Sequence, residues 1–161
     1  MNTTRVYRKL TLATVAVVCC LICLGCEGDY AVPITSGPTR TIDRRLLGNW
    51  VSKDGADKMR VRSFDDSNYI VSVNDDLYRA FHSDVGTTSF ISAQEIDSAG
   101  RKYAYLVYRL SEDGKRLYVR VVNTKVIPKT AKNSLTVQRL LKTHLRNSEL
   151  FEDETEFVNK K

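Results

Sequence analysis

Beyond position 26 the chain contains no cysteine, and the four it has, Cys19, Cys20, Cys23 and Cys26, fall within eight residues. A chain cut before Cys26 keeps a single thiol, which excludes an intrachain disulfide. The C-x-x-C spacings at Cys20 to Cys23 and Cys23 to Cys26 have the form of a metal or redox pair. These thiols sit among Leu, Ile and Val, however, with no further cysteine to complete a ligand set and no electropositive surround to favour the thiolate. The expectation is therefore no metal and no cofactor. Proline and glycine are scarce, at 3 and 8 residues, while 42% of the chain is hydrophobic and 27% charged, which excludes a collagen-like or wholly disordered chain. Charge of one sign is also lacking. The formal net charge is +6, but from Cys26 onward 22 Lys and Arg face 19 Asp and Glu, a net of +3. That is too mild for an electrostatic footprint on nucleic acid, and no nucleic-acid partner is expected. There is no internal repeat, no low-complexity tract and no G-x-S-x-G elbow.

What is present begins with a short basic stretch, MNTTRVYRK, followed by an apolar run from Leu10 to Gly25. Its uninterrupted part, Val15 to Leu24, is ten residues, whereas a membrane-spanning helix takes roughly 20. This order of basic and apolar regions predicts a cleaved export signal over residues 1–25 in place of a stable anchor. The run ends Ile22-Cys23-Leu24-Gly25-Cys26, which resembles the lipobox of bacterial lipoprotein signals, with Cys23 standing where that family usually has Leu. The resemblance implies lipidation at Cys26, with a diacylglyceryl group on the thiol and cleavage before it. The expected partner is then the membrane, reached through that lipid. Glu27 in place of Asp leans the expected location in the bacterial envelope toward the outer membrane, facing the periplasm.

Residues 26–44, with two of the three prolines and scattered Gly, Ser and Thr, read as a flexible tether. Residues 45–161 read as one β domain. Short runs rich in Val, Ile, Tyr and Phe predict strands at Leu46 to Lys53, Lys58 to Phe64, Tyr69 to Val73, Leu77 to His82, Ser89 to Ile96, Lys102 to Leu110 and Arg116 to Asn123. Lys53-Asp54-Gly55, Asp97-Ser98-Ala99-Gly100 and Glu112-Asp113-Gly114 supply Gly or Asp for turns needing positive φ, and so do Asp65 to Asn68 and Asn74 to Asp76 without Gly. Connections this short make sequential strands antiparallel. Alternation sorts the faces: Met59, Val61 and Ser63 oppose Lys58, Arg60 and Arg62. Farther on the period changes to that of a helix from Leu135 to about Leu145, capped by Ser134, with Leu135, Val137, Leu141 and Leu145 on its stripe. A last extended run, Thr155 to Val158, is placed to rejoin the sheet.

These elements predict a mainly β fold, an antiparallel meander forming a small barrel or half-open barrel with one C-terminal α-helix. Leu47-Gly48-Asn49-Trp50, opening the first strand, resembles the Gly-x-Trp signature of lipocalins and similar small barrels, which implies a Trp plugging the closed end. Without the family, Trp50 reads as a large core anchor, and either reading buries it.

Few residues suggest chemistry. His82, Ser83 and Asp84 are adjacent, but neighbours on one strand point to opposite faces, so they do not form a triad and a hydrolase ranks last. His82 reads as a strand-end histidine bonded to Asp84 or to backbone. His144 falls on a solvated helix face. Aromatics are denser: Tyr103 and Tyr105 share a face with Val107, and Tyr108 faces with Ala104 and Leu106. Such rows pack across strands with Arg109 and Arg120 or line a ligand surface, and Tyr103 and Tyr105 are the candidate ligand contacts. The expected function is a non-enzymatic binding or envelope-maintenance module for a small apolar ligand or an envelope protein. The alternative is a structural or inhibitory subunit with a solidly packed sheet.

Overall fold

The computed structural model describes residues 30–97 and 99–160. The export signal and Cys26 lie outside the described residues. Eight strands follow in chain order: β1 Gly48–Ser52, β2 Lys58–Ser63, β3 Asn68–Val73, β4 Asp76–Val85, β5 Thr88–Glu95, β6 Tyr103–Leu110, β7 Arg116–Val121 and β8 Thr155–Asn159. One helix, α1 Ser134–His144, lies between the last two strands. Every strand pairs with the next, and β8 returns to β1 through Trp50↔Asn159 and Ser52↔Phe157, closing the barrel.

Two-residue periodicity and register together make one apolar lining. Met59 and Val61 lie opposite Val73 and Val71, Val71 opposite Tyr78, Ala80 opposite Ala93, Ile91 opposite Leu106, and Leu117 opposite Phe157. Lys58, Arg60 and Arg62, on the alternate positions of β2, face solvent. The turns between strands are tight. Gly55 and Gly114 take φ of 79° and 66° as the sequence demands, whereas in the turn after β5 the positive φ falls on Arg101, at 42°.

The outer wall carries a second core. Tyr30, Ile34, Phe90, Tyr105, Val122, Ile127, Val137 and Leu141 are buried there between the barrel and the segments that cover it. Val137 and Leu141 bring α1 down onto this surface, while Leu135, expected on the same stripe, is 73% exposed. The helix cap is Asn133, whose side chain accepts from the Thr136 amide. Ser134, the expected cap, instead donates to the Pro33 carbonyl.

Two further expectations are corrected. Residues 30–44, within the stretch expected to be a flexible tether, are packed on the barrel. Tyr30 exchanges backbone hydrogen bonds with Tyr103, Ile34 is fully buried, and Thr39 and Ile42 donate to the carbonyls of His82 and Asp66. Pro, Gly, Ser and Thr mask the apolar alternation of Tyr30, Val32 and Ile34, which carries the packing. Strand β4 also runs past His82 to Val85, its ladder with β5 continuing through Ser83↔Phe90 and Asp84↔Ser89 while the two side chains find partners in the covering segment.

Candidate functional site

The barrel encloses an axial cavity of about 120 Å³. Its wall is contributed by nearly every strand and is apolar, with Met59, Val71, Val73, Leu106, Val119 and Val121 among the lining residues. Tyr69, Tyr78 and Tyr108 are its aromatic members. At one end the cavity reaches Glu152, Asp153 and Thr155, in the approach to β8, where both carboxylate residues are exposed. Their side chains form no ion pair or hydrogen bond among the described residues.

The opposite end, where β1 begins, is crossed by residues 39–47. A short 3₁₀ turn at Arg44–Leu46 drops Leu46 onto the interior cluster. Trp50, fully buried, donates its Nε1 hydrogen to the Leu46 carbonyl at 2.9 Å and so holds the turn in place. Space at Gly48 is close: a Cβ there would lie 3.2 Å from Nδ2 of the Asn159 side chain and at ordinary contact, 3.6 Å, from Trp50 Nε1.

A polar cluster ties this crossing to the wall. The Asp43 amide donates to the Tyr69 hydroxyl at 2.6 Å, which leaves the Tyr69 proton for His82 Nε2 at 2.8 Å. That assignment makes Nε2 the acceptor and puts the imidazole proton on Nδ1, facing Ser89 Oγ at 3.4 Å. The Tyr108 hydroxyl donates to Asp43 Oδ2 at 3.4 Å. Burial holds the His82 imidazole below its ordinary pKa, with the positive Arg40 acting the same way against the weaker pull of Asp84 and Asp43. Burial also pushes the Tyr69 phenol up to about 12. Asp43 stays ionised well below the usual carboxylate range because Arg45 bonds to it, against the opposing effect of its own burial. The ensemble is a neutral His with two protonated Tyr, an arrangement that anchors a segment.

His82, Ser83 and Asp84 do not meet. His82 is buried and bonds to Tyr69. Ser83 is buried on the outer face between Thr35 and Ser92, and Asp84 bonds to Thr39 and Arg40. The expected bond from His82 to Asp84 is replaced by the one to Tyr69. Among the described residues no group of three or more His, Cys, Asp or Glu is arranged to hold a metal ion.

Tyr103 and Tyr105 stand on the outer wall and not in the axial cavity. Tyr105 is fully buried, its ring stacked on Tyr30 at 4.0 Å and its hydroxyl bonded to the Val32 carbonyl. Burial pushes both phenols up. The cross-strand pairing expected of Arg109 is present, its guanidinium lying 3.8 Å from the centre of the Tyr118 ring. Arg120 lies over Phe151.

No family model, curated protein or solved structure matches the chain. The cavity and its polar floor are therefore read from their own geometry. Sequence reasoning chose Tyr103 and Tyr105 from the aromatic rows as ligand contacts, in place of Tyr69 and Tyr108, and did not reach Glu152 or Asp153. Tyr108 carried a signal, since alternation sets it with Ala104 and Leu106 on the inward face of β6. The two acids lie in an irregular approach to β8 and carried none.

Proposed function

We propose that the chain is a lipoprotein of the bacterial envelope, anchored through a lipid on Cys26, whose barrel is a non-enzymatic binding module for a small apolar ligand. The observation that carries the binding role is the axial cavity, apolar along its wall and reaching solvent at one end. Its size sets the ligand class. A dry cavity of about 150 Å³ accepts benzene, whereas pockets for drug-sized ligands run to roughly 300–1,000 Å³. A cavity of about 120 Å³ therefore suits one short alkyl or aromatic group.

The lipid anchor rests on the Leu24-Gly25-Cys26 ending of the apolar run. Tyr30 bridges to Tyr103 at the start of β6, which is the mouth end of the barrel. Three residues lie between Cys26 and Tyr30, so the four Cα-to-Cα steps reach at most about 14 Å and the lipid would hold the mouth close to the bilayer. The small cavity also favours a second reading, a structural or inhibitory subunit whose barrel is largely packed.

Two measurements test these readings. Cys26→Ser should abolish incorporation of a fatty-acid probe and leave the precursor uncut, and undiminished label would remove the lipoprotein assignment. Benzene, of a size for this cavity, should bind and shift the methyl NMR signals of Val71 and Val119. A chain whose cavity methyls do not respond is the packed subunit.

A further inference from the structure

The cavity wall is apolar, but its mouth is mainly acidic. Glu152 and Asp153 reach the cavity itself, and the broad groove that adjoins it at Thr155 carries seven carboxylate residues against two lysines, Lys53 and Lys125. Lys53 is engaged with Glu156, which also meets Arg116, and Glu154 meets Arg109. Glu152 and Asp153, the two carboxylates at the cavity itself, have no such partner among the described residues. A ligand whose apolar group fills the cavity thus leaves its head beside two carboxylates that no side chain pairs, the neighbouring Arg120 guanidinium being bonded to the backbone carbonyls of Phe151 and Glu152.

We propose that the cavity binds a small cationic amphiphile, an alkyl or aryl group of about six carbons carried on a primary ammonium, the ammonium meeting Glu152 and Asp153. This inference rests on the barrel being a binding module and names its ligand class. The apolar wall supplies affinity without regard to charge. The rim selects the head, attracting an ammonium and repelling a carboxylate of the same length. Because the two acids are exposed, the selection is modest and depends on ionic strength.

The full chain, held in nanodiscs of zwitterionic phosphatidylcholine, is titrated with n-hexylamine, n-hexanol and sodium hexanoate at pH 7. Binding is read from the methyl NMR signals of Val71, Val119 and Leu117, which report on the cavity and not on partitioning into lipid. Hexylammonium should bind about fivefold more tightly than hexanol, and hexanoate more weakly than either, the scale of one or two exposed charge pairs. The double variant Glu152→Gln/Asp153→Asn should bind all three alike, as should the parent in 1 M salt. Val73→Phe, which narrows the mouth, should weaken all three together, and its circular dichroism should match the parent's.

Equal affinity of the parent for the three probes overturns the ammonium preference and leaves the apolar binding site standing. A preference that survives in the double variant overturns its assignment to Glu152 and Asp153. Failure of every probe to perturb the cavity methyls overturns the binding module itself.

Discussion

The same closed sheet carries apolar packing on both faces, and the two faces are filled differently. Outside, Tyr105 is stacked on Tyr30, and Phe90, Val122, Ile127, Val137, Leu141 and Leu150 lie around it, all but inaccessible. Inside, Trp50, Tyr69 and Phe157 are buried at or near the ends, while Val71, Val119 and Leu106 between them stay partly accessible along the cavity. The outer face was covered by segments that could adapt to it, residues 30–35 and α1. The inner face has only itself, because a ring of eight strands has a fixed radius and its side chains must meet across it. Dense packing marks the wall that stabilises, and residual space marks the wall available to a ligand.

The sharpest way to break this contrast is to remove the largest side chain buried inside. Trp50→Ala should lower stability by about 3–5 kcal/mol, a large share of the roughly 5–15 kcal/mol of a small domain. Urea unfolding measures it. Parent-like stability would mean the barrel end is held by something other than the Trp50 bond to Leu46.

A single added methylene then separates the two walls by sign. Val137→Ile on the fully buried outer face should destabilise by about 1–3 kcal/mol through overpacking. Val71→Ile, extending into the cavity, should stabilise by about 0.8 kcal/mol. Parallel denaturation of the two variants decides between them, and the same sign for both would refute the difference in packing.

The smallest effect is expected from pH. The folded state holds His82 below its ordinary pKa of about 6.5, so as pH falls the unfolded chain takes up that proton first. Stability should therefore decline as pH drops through about 6.5 and toward the folded value. Asp43 and Asp84 are held below the usual carboxylate range in the folded protein, Asp43 chiefly by Arg45 and Asp84 by Ser89, Thr39 and Arg40 against its burial. Their contributions are present above about 3.9 and are lost in a lower window, as pH falls through their folded values. His82→Gln should flatten the profile between pH 7.5 and 5.5 only. An unchanged slope in that variant would assign the titration elsewhere.

The strands were legible because inward and outward residues alternate through β2, β6 and β7, and because Gly55 and Gly114 mark turns that only a few residues accept. The barrel's closure was foreshadowed by Thr155 to Val158, a β-rich run following the helix. The end of β4 was not legible. Ser83 and Asp84 have the composition of a turn, yet they stay extended, paired with Phe90 and Ser89 of β5 and bonded through their side chains to Thr35, Thr39 and Arg40, more than forty residues away. The packed segment at residues 30–44 was hidden for the same reason, since its burial depends on a surface assembled from β4, β6 and α1. At the cavity, alternation located Tyr108, but nothing local distinguishes Glu152 and Asp153 from other solvated acids. Their meaning comes from where the chain re-enters the barrel.

That re-entry also disposes of the sheet's two edges. The pairing of Trp50 with Asn159 joins the first strand to the last, so without β8 strands β1 and β7 would each present a bare row of amides and carbonyls. Such rows are templates for joining another chain. Closure by β8 therefore does more than complete the wall: it leaves the ring with no unpaired edge on which a second chain could build.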